Sequence, residues 1–165
     1  MIKPISILLA VSSLLALPAF ANTLKLPNEE FAIATIEMPN SWEPEEITNG
    51  FAGTSPDRAV YLAVVAVGSD KGMQAELDDT LDMLKEQKVV LDKATKSENK
   101  CKVNGIEGNE ITYQGKDEDG AAAVSIAFVP IKDKVIVLTY WVSTDEEKAH
   151  QAEVGRILNS LKPGS

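Results

Sequence analysis

Eight consecutive residues, Val60-Tyr61-Leu62-Ala63-Val64-Val65-Ala66-Val67, set the strongest limit on what this chain can become. The run shows no alternation of polar and apolar positions, so as a strand it has no face suited to water. It predicts a strand inside a sheet that is covered on both sides. The covering layers must come from elsewhere in the sequence.

Residues 73–87 predict one of them. Met73, Leu77, Leu81 and Leu84 recur every three or four positions, with Glu76, Asp78, Asp79, Asp82 and Glu86 between them. That spacing gives an amphipathic helix whose narrow apolar stripe packs on the sheet and whose carboxylates are solvated. A second helix is predicted near the C-terminus. Ser143-Thr144-Asp145-Glu146 has the form of a capping box, with Ser143 as N-cap and Glu146 reaching back to it. The apolar face then runs through Ile157, Leu158 and Leu161, and Pro163-Gly164 stops the helix. Strand patterns occupy residues 31–36, ending at Met38-Pro39, and a short segment at 50–54. A meander follows through 89–95, 101–103, 108–114, 121–129 and 135–142. Its turns fall at Asn104-Gly105, at 132–134, and at the polar stretch 115–120, which suits a hairpin loop. This order predicts an α+β domain in which helices pack on the faces of a central antiparallel β-sheet.

Three short pieces resemble the PsbP-like family of α/β/α sandwich domains, which includes small exported bacterial proteins of the DcrB type. They are Ile36-Glu37-Met38-Pro39-Asn40-Ser41-Trp42, Val103-Asn104-Gly105-Ile106-Glu107-Gly108 and Ile157-Leu158-Asn159-Ser160-Leu161-Lys162. The resemblance implies a PsbP-like sandwich, with Trp42 packed near the sheet edge and the C-terminal helix docked on the strands. It implies an assembly, stabilising or chaperone role more than catalysis, and it carries no catalytic residue onto any position. A shared fold does not decide function.

The N-terminus constrains location. A basic start at Lys3, an apolar run over residues 5–17 and the small-x-small pattern Ala19-Phe20-Ala21 predict a cleavable signal peptide, residues 1–21. The run is short for a membrane span. Residues 22–165 are then a single domain in the periplasm or outside the cell, with no stable membrane insertion after cleavage. Loss of Lys3 with the leader takes the net charge from −9 to −10. Such a surface repels nucleic acid and suits a basic protein partner.

Catalytic equipment is sparse. Cys101 is the single cysteine, so the chain cannot close a disulfide, and His150 is the single histidine. A Cys101–His150 nucleophilic pair requires these two to meet in space, and nothing in their sequence context favours that. His150, on a polar stretch of the last helix, reads as a solvated imidazole. There is no phosphate-binding Gly-rich loop, no G-x-S-x-G elbow, no H-E-x-x-H and no paired cysteine for zinc. No cofactor is expected, and the chain does not read as an enzyme. The most concrete metal candidate is the run Asp117, Glu118 and Asp119 before Gly120, which offers oxygen ligands for Ca²⁺ but lacks the alternating spacing of an EF-hand loop. Asp78, Asp79 and Asp82 are a weaker cation candidate.

A chain so composed is expected to act by binding. The leading expectation is an exported accessory protein whose partner is another envelope or secreted protein, as chaperone, assembly factor or toxin-immunity protein. Trp42 and Trp141, with Tyr61 and Tyr140, are the aromatic residues available to anchor that contact. A small-ligand or lipid carrier with a cavity between sheet and helix is the alternative, followed by an enzyme with a dispersed site.

Overall fold

A computed structural model describes residues 21–164 apart from Ser69. In chain order the elements are β1 (Ala21–Leu26), β2 (Ala34–Pro39), a 3₁₀ turn (Asn40–Trp42), β3 (Glu45–Ile47), β4 (Gly50–Thr54), β5 (Val60–Val67), α1 (Asp70–Glu86), β6 (Val90–Val103), β7 (Ile106–Lys116), β8 (Ala121–Ile131), β9 (Lys134–Ser143), α2 (Glu147–Asn159) and β10 (Lys162–Pro163). Seven strands form one sheet in the order β3-β4-β5-β9-β8-β7-β6, and β1, β2 and β10 form a second. Every pairing is antiparallel. The signal peptide expected over residues 1–21 lies outside the described residues, apart from Ala21, which opens β1. No helix among the described residues is long and apolar enough to cross a membrane.

The apolar run at Val60–Val67 is β5, flanked by β4 and β9, and all its residues except Tyr61 are buried. Its two faces feed two cores. Val60, Leu62, Val64 and Ala66 point to one side and pack with Leu24, Ile36, Met38, Trp42, Val154, Ile157 and Leu161. Val65 and Val67 point to the other and pack with Leu84, Val124, Ile126, Phe128 and the half-buried Met73, Leu77 and Leu81 of α1. The layers are therefore α1, the seven-stranded sheet, and the small sheet together with α2. This is the layered α+β sandwich expected from the sequence, with one addition, the small sheet that shares the second covering layer with α2.

The differences from expectation have local causes. The strand expected at 31–36 begins only at Ala34, because the Asn28 side-chain oxygen accepts the N–H groups of Glu30 and Phe31 and holds that segment in a turn. Phe31 is 65% exposed. The capping box is not formed: α2 starts at Glu147, with Glu146 as N-cap and no side-chain cap bond. Ser143, four residues ahead of the first residue of α2, is held in β9, opposite Ala122, and its N–H donates to Ala59 O at 3.1 Å. The two pieces expected at 89–95 and 101–103 are one long edge strand, β6, whose register with β7 shifts between Asp92 and Ser97. Its polar middle forms a strand through backbone pairing alone, since an edge strand with exposed faces needs no apolar alternation. The turn between β6 and β7 falls at Asn104-Gly105, both with positive φ, which matches a tight two-residue hairpin.

Candidate functional site

The α1 face of the large sheet is not fully roofed. At the start of β5, Tyr61 lies opposite Trp141 of β9 in the antiparallel register, and their rings stack with centroids 4.8 Å apart and planes at 25°. Both rings are half-buried. They line an open concavity of about 780 Å³ bounded by the C-terminal end of α1 at Met83 and Gln87, by Glu43 and Glu45 before β4, and by the loop between β4 and β5. Burial, and then the nearby Glu45 charge, push the Tyr61 hydroxyl above its ordinary pKa, so it stays a neutral donor. A flat aromatic floor under a rim that bears two carboxylates and Arg58 can hold an apolar side chain and, beside the carboxylates, a cationic one, the usual anatomy of a protein contact.

The two tryptophans expected as anchors part company here. Trp141 is available on the floor of the concavity. Trp42 is completely buried in the core beneath the small sheet, and its Nε1 has no protein partner. It is a packing residue whose contribution to the concavity is a section of wall, which corrects its expected anchoring role. Tyr140 lies on the opposite face of β9, packed against the other core, and burial first, with Glu147 and Glu110 adding to it, pushes its pKa up to about 12.

The loop between β4 and β5 carries a second arrangement that sequence reasoning missed. Asp57 Oδ1 accepts hydrogen bonds from Ser55 Oγ at 2.6 Å and from the Ala59 N–H at 3.1 Å. Its Oδ2 lies 2.8 Å from His150 Nε2, and Glu153 Oε2 is 3.9 Å from the other ring nitrogen. The Ser55 bond chiefly, opposed by partial desolvation and reinforced by Ala59 and His150, holds the Asp57 carboxyl down at about 2. His150 is thus not the solvated imidazole expected; its side chain is only 12% exposed. Asp57 and His150 are 93 positions apart, and only their fold brings them together. The residue types are those of a hydrolase triad, but the carboxylate sits between the other two. Ser55 Oγ donates to Asp57, is itself 2% exposed, and has no bond to the imidazole that would have to deprotonate it.

The remaining candidates do not assemble. Cys101, on β6, is absent from the groups around His150, and burial with help from Glu110 raises its thiol pKa, the opposite of what a nucleophile requires. In the β7–β8 loop, Asp117 Oδ1 is occupied by the N–H groups of Asp119 and Gly120, while Glu118 pairs with Lys88. Asp117 thus serves the hairpin, and the three carboxylates are not a converging group among the described residues. Nor do Asp78, Asp79 and Asp82 on α1: among the described residues the ligand group that converges is Asp57, Glu146 and His150.

A smaller groove of about 410 Å³ runs between α1 and the β6–β7 edge. Met73, Leu77, Ile111 and Phe128 form its apolar wall, and Glu98 and Lys100 lie at its margin.

No protein-family model and no curated relative matches this chain. Solved structures do. The cyanobacterial PsbP (CyanoP) of Synechocystis sp. PCC 6803 superposes with a TM-score of 0.59 at 11% identity, over 94% of this chain and 99% of its own. A protein from Bacteroides thetaiotaomicron superposes with a TM-score of 0.53 at 11% identity, over 80% of this chain and 45% of its own. At such identities the likeness establishes the PsbP-like fold and nothing about activity.

Proposed function

We propose that this chain is an exported, non-catalytic accessory protein that binds another envelope protein through the concavity at Tyr61 and Trp141. The observation that carries it is the stacked aromatic pair left half-open on a sheet face that α1 otherwise covers. Rigid aromatic rings on two adjacent strands offer contact area at small entropic cost, and such residues dominate binding energy at protein interfaces. Glu43 and Glu45 at the rim outnumber its one cation, Arg58, and with the net charge of −10 left after loss of the leader they favour a partner with a basic patch and would speed its approach. The signal-peptide pattern at the N-terminus supports export. The fold shared with CyanoP is compatible with an accessory role.

The groove against α1 favours a second reading, a carrier of a small apolar ligand held against Met73, Leu77, Ile111 and Phe128. Affinity capture from an envelope extract separates the two. The accessory reading expects a saturable partner that is retained by the protein, lost from the W141A variant, and unaffected by L77A. An apolar ligand that co-purifies and is lost from L77A supports the carrier instead.

A further inference from the structure

We propose that Asp57, Glu146 and His150 form a binding site for a first-row transition-metal dication of the Zn²⁺ type. Glu146 is the N-cap of α2 and His150 lies four residues on, in its first turn, a spacing that puts both side chains on one side of the helix start, and the His150 N–H donates to Glu146 O at 3.2 Å. Asp57 comes to them from the β4–β5 loop. One donor atom from each of the three lies within 4.8 Å of the other two. Two features go beyond mere proximity. Asp57 is oriented from behind, with Oδ1 held by Ser55 and Ala59 and Oδ2 turned toward the imidazole. His150 has a carboxylate on each side of its ring: with a metal at Nε2, Nδ1–H faces Glu153 Oε2, now 3.9 Å away, which has to close by about 1 Å to make the outer-shell hydrogen bond that fixes a ligating imidazole.

The donor set selects the ion. One imidazole nitrogen and two carboxylate oxygens suit Zn²⁺ and its neighbours, whereas Ca²⁺ and Mg²⁺ take oxygen ligands alone. At metal–ligand distances of about 2.0–2.1 Å in a tetrahedron, donor atoms sit about 3.3 Å apart. Asp57 Oδ2, now 2.8 Å from Nε2, has to draw back by about half an ångström, and its half-exposed side chain has the room; the exposed Glu146 side chain has to close the remaining gap, which is no more than 4.8 Å. The ion replaces the proton shared between His150 Nε2 and Asp57, and that proton leaves to solvent or to Nδ1. The N-terminal end of the α2 dipole opposes a cation, but two full carboxylate charges outweigh its half charge. A water takes the fourth position. A metal here would tie the β4–β5 loop to α2.

The test is calorimetric titration of ZnCl₂ into metal-free protein purified without a polyhistidine tag. One Zn²⁺ per chain is expected, weakened at least about tenfold in D57N and H150Q. The D119N control in the β7–β8 loop binds as the unmodified protein does. Co²⁺ should give the visible bands of a low-coordinate site, absent from H150Q. Should the variants unfold, the unmodified protein decides: the NMR signals of the His150 ring shift and fix one tautomer on adding one equivalent of Zn²⁺. No binding, binding equally strong in H150Q, or ring signals that do not respond would overturn the site and leave an ion pair without metal.

Discussion

Asp57 holds the β4–β5 loop by accepting bonds from Ser55, Ala59 and His150, and the cost of protonating it is a cost to the fold. Its folded pKa of about 2 lies below the ordinary carboxyl value of 3.8, so its contribution is complete above about pH 4 and disappears as pH falls toward 2. Half-exposed and screened by water, the carboxylate contributes about 1 kcal/mol or less, well short of what the whole shift would represent. D57N should therefore be less stable than the unmodified protein near pH 7, with the gap closing below pH 4, as measured by urea unfolding across that range. The single thiol makes a second residue-scale prediction. Since burial raises the Cys101 pKa, iodoacetamide should modify it more slowly in the folded protein at pH 8 than in urea; equal rates would refute that. Of this chemistry the sequence displayed only the pieces. The i, i+4 spacing of Glu146 and His150 is visible in the chain, but Asp57 carries no signal of its long-range partner. Trp42 and Trp141 look alike as residue types and end in opposite situations because one follows a 3₁₀ turn into the core and the other sits on a strand face beyond the end of α1.

At the scale of elements, legibility followed the apolar pattern. β5 and α1 were readable because burial on two faces and on one stripe leaves distinct spacings. β1 was passed over although Leu24 and Leu26 alternate with polar neighbours, and the long β6 was split, because its order comes from hydrogen bonds to β7. The capping-box pattern failed since a strand claimed Ser143 first. Two glycines test how tightly the elements approach. A Cβ at Gly50 would sit 2.0 Å from Val64 O, across the β4–β5 pairing, and its nearest neighbours are all β5 backbone, which cannot swing aside as a side chain would. G50A should destabilise the protein by about 3 kcal/mol. In α2, a Cβ at Gly155 meets nothing within 4 Å, so G155A should add about 0.5–1 kcal/mol through helix propensity. Denaturant midpoints of the two variants should move in opposite directions.

For the whole molecule, the two cores share strands. Alternate residues of β5, β8 and β9 point into each, so one core cannot come apart while the other stays packed. Trp42 reports on the core beneath the small sheet and Trp141 on the α1 side. Single-tryptophan variants W42F and W141F should each show one unfolding transition, coinciding with that seen by circular dichroism. Separated midpoints would mean that the layers unfold independently. The sandwich was legible as a whole because a doubly buried strand demands two covering layers. The concavity was not, since its position depends on where α1 ends relative to Tyr61 and Trp141, a matter of three-dimensional register. Site-specific photo-crosslinking in the producing cell tests most directly whether that opening is the working surface. A photoreactive residue placed at the exposed Thr54, on the concavity, is compared with one at the exposed Lys132 in the β8–β9 turn. The account predicts a discrete crosslinked protein from Thr54 that is absent from Lys132 and is abolished by W141A. A crosslink from Lys132 alone, or one from Thr54 that W141A leaves intact, would contradict it.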